Sequence, residues 1–269
     1  MTWLLIMLGI VIWWVLGQKK RKQLEQIAKE MPTDIPAMPV IGHAYLYLGT
    51  DEDRMRAFQK FGRDAIKQGG TTAVWQASQL YIYVVDPENG ETLLKSCLAK
   101  DENTIRFTRV IFGNGSIFAP LNIWRPRRKV LAPIFSPRNL NGFVGVFAKQ
   151  SATMVELLQP MAGAGDFSIW KYVTTYTFDA VAETNLGIIM NSQMRDSHPF
   201  LEAFDKSAGL VAARMCQPWF YSDFVYRLLP SYWRCRKYCK YIEDFVDETI
   251  KEKRRSLKAN GYHKKENTS

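Results

Sequence analysis

A chain of 269 residues, 47% of them hydrophobic, has ample apolar side chain for a packed core, and its length fits one large domain or a piece of a larger one. The net charge of +10 narrows the macromolecular partners to nucleic acid or an anionic membrane face. Four cysteines without C-x-x-C spacing and three histidines (His43, His198, His263) in no H-x-x-x-H or H-E-x-x-H pair lend no support to a metal site or a His-based triad.

The chain opens on an apolar stretch. Trp3 to Gly17 carries no charge and is followed, after Gln18, by Lys19, Lys20, Arg21 and Lys22. At 1.5 Å per residue this core spans roughly 22 Å, short for a ~30 Å hydrocarbon layer, so a cleaved signal peptide is the rival to an anchor. The lack of a charged n-region and of a small-x-small cleavage site, with Trp13 and Trp14 near the interface, favours an uncleaved transmembrane signal-anchor over residues 1–18. The basic run then puts the remainder on the cytosolic side, where thiols stay reduced and Lys and Arg meet anionic headgroups. Residues 19–49 form a basic and proline-rich linker, stiffened by Pro32, Pro36 and Pro39 ahead of Gly42.

Thr50 to Gln68 begins with capping residues, places Met55, Phe58 and Phe61 at helical spacing and stops at Gly69 and Gly70. Thr71 to Gln76 and Leu80 to Asp86 are β-branched and aromatic around a short polar turn, which predicts a hairpin. Asp86 and Pro87 start a helix that runs to about Ser96. Asp101 to Ile123 contains Gly113 and Gly115 and reads as a long loop, a place where function often resides.

Beyond Trp124 the pattern is helical throughout. A first segment tolerates Pro126 in its opening turn and closes at Pro133 and Pro137; later helices cover about Leu140 to Leu158, Trp170 to Leu186, Pro199 to Met215 and Tyr232 to Leu257. Cys235 and Cys239, one turn apart, either converge on a metal or share one helix face; with no further Cys or His nearby the helix face is favoured. The fold class that follows is mainly α with a small β-sheet (α+β).

The segment N-I-W-R-P-R-R-K-V-L-A-P-I-F-S-P, Asn122 to Pro137, sets Trp124 and Arg128 on one helix face. The indole gives one N–H donor; the guanidinium gives a planar fork that matches a carboxylate and stays charged when desolvated. Arg125, Arg127 and Lys129 add positive charge. The pair suits a buried anion; a solvated basic face pinned to the core by Trp124 is the alternative.

These segments, taken together, resemble the N-terminal half of a microsomal cytochrome P-450, of family-4 type. The likeness rests on the proline connector, the hairpin, W-R-P-R-R-K-V-L-A-P-I-F, V-V-D-P-E before the following helix, G-N-G-S-I-F in the loop, F-D-A-V-A-E-T-N-L-G at Phe178 to Gly187, and Q-P-W-F-Y-S-D-F-V-Y-R-L-L-P at Gln217 to Pro230. It covers essentially the whole chain. It implies that residues 50–269 are the N-terminal half of a catalytic domain, cut before the central helix.

The resemblance also implies roles. Trp124 and Arg128 stand where the family holds the haem propionates, with Arg125 a weaker third contact. Phe112, Ile117 and Phe118 stand in the loop over the substrate pocket, either as its walls or as ordinary core. Pro120 and Leu121 depart from the G-E-K-like turn common before the Trp. Trp219, Phe220, Tyr221 and Phe224 stand where microsomal members lie against the bilayer, and core packing is an equal alternative.

No catalytic or metal-ligating residue is expected within the chain. The family's proximal cysteine lies in F-x-x-G-x-R-x-C-x-G, and none of the four cysteines has that context; A-G-x-D-T is absent too. The E-x-x-R spacing at Glu252 to Arg255 falls within K-E-K-R-R-S-L-K and reads as a solvated helix face. The implied protein is a haem-thiolate monooxygenase of the endoplasmic reticulum membrane, with a single-pass anchor and a cytosolic body. It carries haem b, takes electrons from NADPH through cytochrome P-450 reductase, with cytochrome b5 as a further partner, and inserts one oxygen atom into a lipophilic substrate such as a fatty acid, hormone or xenobiotic. This chain alone is expected to be inactive and to hold haem weakly. The alternatives are a non-catalytic, membrane-anchored isoform and, far behind, a nucleic-acid binder, for which no signature is present.

Overall fold

The computed structural model describes residues 21–115 and 117–259. It is mainly helical with one two-stranded antiparallel sheet, and the chain divides into two compact units, Met1–Phe107 with Val211–Leu228, and Thr108–Leu210 with Leu229–Ser269. The anchor expected over residues 1–18 lies outside the described residues. Among those described, no helix is long and apolar enough to cross a membrane.

The first unit begins with a helix over residues 21–30 (α1). It continues through a 3-10 turn at Ala44–Tyr47, α2 (Asp51–Lys67), β1 (Thr71–Gln76), β2 (Gln79–Val84) and α3 (Pro87–Ser96). Thr50 caps α2 reciprocally: its Oγ1 accepts from Asp53 N at 3.2 Å, and Asp53 Oδ2 accepts from Thr50 N at 2.8 Å, satisfying donors that the helix start would otherwise leave open. The hairpin pairs Thr71 with Val84 and Gln76 with Gln79, so the connection is the dipeptide Ala77-Ser78. Val74 of β1 joins Ile35, Tyr47, Ala57, Phe61 and Cys216 in the buried core.

The proline connector is built into this unit. Met38 and Gly42 exchange backbone bonds of 2.9 Å, and Gly42 bridges Gln76 of β1. A Cβ at Gly42, where φ is +60°, would lie 2.5 Å from Trp75 O, so only glycine fits the approach. His43, buried beside it, contacts Ile35 O through Nε2 at 2.9 Å and accepts from Trp75 N through Nδ1 at 2.9 Å; the second bond leaves the ring proton on Nε2. Asp64 of α2 accepts from Thr33 Oγ1 at 2.7 Å, Thr72 Oγ1 at 2.8 Å and Asp34 N at 3.2 Å, tying connector, helix and strand together.

Two expectations change along the next stretch. The first half of Asp101 to Ile123 is a helix, α4 (Glu102–Phe112), because Asp101 Oδ2 accepts from Thr104 N at 2.8 Å and caps it, Glu102 sits in the first turn, and Gly113 at φ +55° ends it. The helix containing Trp124, α5 (Leu121–Leu131), begins three residues earlier than expected, capped by Pro120. Pro126 therefore lies inside the helix rather than in its opening turn, and the Asn122 carbonyl lacks its usual helical donor.

The second unit continues with a 3-10 turn at Ala132–Phe135, α6 (Pro137–Leu158) and α7 (Trp170–Val181), which passes into a π turn at Ala182–Leu186 and stops at Gly187 in the left-handed conformation. Asp179, buried on α7, accepts from Ser192 N at 2.9 Å and Gln193 N at 3.1 Å. Gln193 Nε2 donates to Gln150 Oε1 and Gln150 Nε2 to Glu183 Oε2, each at 2.7 Å. This chain of bonds stitches α6, α7 and the following turn. Next comes α8 (Pro199–Cys216), which from Val211 onward belongs to the first unit, as do the 3-10 turn at Pro218–Phe220 and α9 (Asp223–Arg227); α10 (Pro230–Ala259) lies in the second unit. Phe178, Phe200 and Phe245 pack with ring centroids 5.2 and 4.8 Å apart. The buried face of α10 carries Cys235, Cys239, Ile242 and Thr249, whereas Glu252 and Arg255 are exposed.

Candidate functional site

The basic face of α5 is the candidate site. The helix start is fixed by Ile123 N and Trp124 N, both bonded to Pro120 O, at 3.0 and 2.8 Å, and no residue of α5 is fully buried. Trp124 is half-buried and Arg128 exposed, with the Arg128 Cζ 5.5 Å from the indole centroid. Arg127 donates to the Asn114 carbonyl. Arg125, Arg128, Lys129 and the Trp124 Nε1 make no hydrogen bond or ion pair with another described residue. Three uncommitted cations and an N–H donor, with no acid in the helix, fit a dianionic ligand such as the two propionates of haem. The chemistry of this donor set fits a pair of carboxylates and offers nothing to an iron.

The pocket candidates separate. Phe112, at the end of α4, packs its ring 4.9 Å from Phe118 and edge-on to Phe204 at 5.9 Å. Ile117 stands 63% exposed outside that aromatic group.

The membrane candidates also separate. Trp219 and Phe224 are exposed, Phe224 at 75%. Phe220 packs at 6.4 Å on the ring of Tyr226. Tyr221 points into the first unit, where its hydroxyl donates to Met215 O at 2.8 Å and lies 3.3 Å from Tyr81 Oη.

Sequence patterning gave no sign of two features. One is a cavity of about 220 Å3 in the first unit, lined by Tyr81, Tyr83, Phe107, Met215, Cys216 and Tyr221 among others. Burial pushes the Cys216 thiol up to about 11 and the Tyr83 hydroxyl up to about 12, so both stay protonated at neutral pH. The other is Arg214, whose side chain is 8% exposed. It pairs with Asp223, donates Nε to Phe220 O at 3.0 Å, and stacks its Cζ 4.0 Å from Tyr226 and 4.5 Å from Phe107. The guanidinium holds the Asp223 carboxyl below its ordinary range. The only available signal was an Arg and an Asp flanking the aromatic stretch nine residues apart, a spacing that matches no regular element.

The cytochrome P450 family model matches residues 32–269, and the chain belongs to that family. It is 26% identical to cytochrome P450 4c21 of Blattella germanica over 94% of this chain and 49% of that protein. It is 28% identical to cytochrome P450 4c3 of Drosophila melanogaster over 93% and 46%, and 23% identical to human cytochrome P450 4V2 over 87% and 45%. These relatives carry family-4 names, in agreement with the resemblance read from the sequence. The chain spans about half the length of the curated relatives it matches.

Proposed function

We propose that this chain is the N-terminal half of a family-4 haem-thiolate monooxygenase and that Trp124 and Arg128, with Arg125 beside them, hold the haem propionates. The observation that carries the proposal is the uncommitted cationic face of α5, with Arg128 folded over the indole at 5.5 Å. Bound haem supplies oxygen activation when a cysteine thiolate ligates its iron. The residues of this chain bind and orient the cofactor edge: two charge-assisted bonds fix the propionates and offset their charge. Phe112 and Phe118 supply apolar surface toward a lipophilic substrate, and Ile117 extends it.

The same proposal places an anchor at residues 1–18, a linker at 19–49, and residues 50–269 within one catalytic domain. It sets the protein on the cytosolic face of the endoplasmic reticulum, with Trp219 and Phe224 as the exposed membrane contacts, and gives it reductase-delivered electrons from NADPH. The haem iron needs a thiolate from outside this chain. Reduced, carbon-monoxide-treated chain with added haem should lack the thiolate-type Soret band, and coexpression with the C-terminal half of a family-4 relative should restore it. A thiolate-type band from this chain alone would overturn the assignment. A non-catalytic, membrane-anchored role is the second reading, and coexpression that yields no band would favour it.

A further inference from the structure

The buried face of α10 holds two thiols that none of the roles above uses. Cys235 and Cys239 are 4% and 5% exposed, both are reduced, and their Sγ atoms lie 3.9 Å apart. Small apolar packing explains why a residue at either position is buried. It does not require two sulfurs side by side on the same turn.

The geometry points to a binding site for monovalent copper formed by Cys235 and Cys239. Thiolates are soft donors that select d10 cations such as copper(I). With metal–sulfur bonds of about 2.3 Å, a 3.9 Å bite subtends roughly 116° at the metal. That is near the angle of a trigonal centre, so a linear arrangement would have to open the sulfurs to about 4.6 Å. Among the described residues no third His, Cys, Asp or Glu completes a ligand set, which leaves the third position to water or a small exogenous thiol. A tetrahedral zinc site, which takes four strong donors, is disfavoured for the same reason.

The binding step balances simply. Two S–H bonds break, two S–Cu bonds form, and two protons leave to solvent, turning a neutral dithiol and a +1 ion into a complex of charge −1. Arg234, Arg236 and Lys237 neighbour the pair in sequence at exposed positions of α10. In the metal-free state Cys235 and then burial hold the Cys239 thiol protonated, with Glu243 adding to the effect, so the cation must displace the protons.

The test is anaerobic copper(I) titration of the full chain against a chromophoric copper(I) chelator, followed by alkylation and mass spectrometry of all four cysteines. One copper per chain is expected, with the slowing of alkylation on adding copper, measured against the metal-free chain, confined to the peptides of Cys235 and Cys239. C235S and C239S should each weaken binding on the order of 100-fold, the gain a second donor gives when tethered beside the first, while C97S and C216S keep it. Protection on the unaltered chain is read without reference to how the variants fold. Protection falling on Cys97 or nowhere, equal affinity in C235S, or zinc(II) retained in place of copper(I) would overturn the proposal.

Discussion

Of the guanidinium groups that lie over aromatic rings, Arg214 and Arg128 stand in opposite circumstances. Arg214 of α8 is buried, pairs with Asp223, and stacks on Tyr226 and Phe107 within its own unit. Arg128 of α5 is exposed, stacks on Trp124, and has no carboxylate among the described residues. A buried cation needs its anion at hand, since desolvation would otherwise exceed what stacking returns. The Arg214 cluster is thus closed and structural. The Arg128 cluster keeps its donors hydrated, and an incoming anion can take them without breaking a protein ion pair.

The comparison breaks most readily on stability. R214A should cost about 2–4 kcal/mol, because it removes two cation–π contacts and a partly exposed ion pair and leaves a void. Urea unfolding and amide exchange over residues 211–228 would report it. R128A in the metal- and haem-free chain should stay within about 0.5 kcal/mol, the usual range for a surface position. Equal losses from the two variants would erase the distinction.

Asp64 extends the contrast to an anion held by neutral donors. Burial alone would raise its carboxyl, but the hydrogen bonds from Thr33, Thr72 and Asp34 N win, and it titrates below its ordinary value. Its folded value is depressed, so its stabilisation is present above the unfolded carboxyl range and is lost as pH falls through the folded value. Denaturation across an acid pH series should show that loss in the wild type, and D64N should flatten it while costing about 1–2 kcal/mol near neutrality. An unchanged acid limb in D64N would move the effect to other carboxylates. The smallest expected effect is T50A, about 1 kcal/mol from loss of the reciprocal cap on α2, seen as faster amide exchange in its first turn.

The fold was legible where local chemistry decides it. Thr50 with Asp53, Asp86 with Pro87, and the alternating β-branched hairpin marked their elements closely. The sequence hides α4, because Gly113 and Gly115 suggest a loop while the helix rests on the Asp101 cap. It misplaces the start of α5 because Pro126 reads as tolerable only in an opening turn, whereas the helix accepts an internal proline at the cost of one carbonyl's bond. Trp124 and Arg128 were legible because i,i+4 spacing is local. Arg214, Asp223 and the tyrosine-lined cavity depend on segments more than a hundred residues apart in sequence, such as Tyr81 with Tyr221, and no local pattern encodes such a meeting.

The central claim is that α5 offers its cations to the haem edge, and haem retention tests it most directly. The full chain in detergent, its W124F and R128Q variants and the double variant would be titrated with haem and read by Soret absorbance after gel filtration. W124F keeps the ring and loses the donor; R128Q keeps the length and loses the charge. The account predicts weaker retention in each single variant and a loss of roughly 10- to 100-fold in the double one, the worth of charge-assisted bonds at a partly exposed site, while R214K leaves haem affinity unchanged. Retention identical in the double variant and the wild type would contradict it.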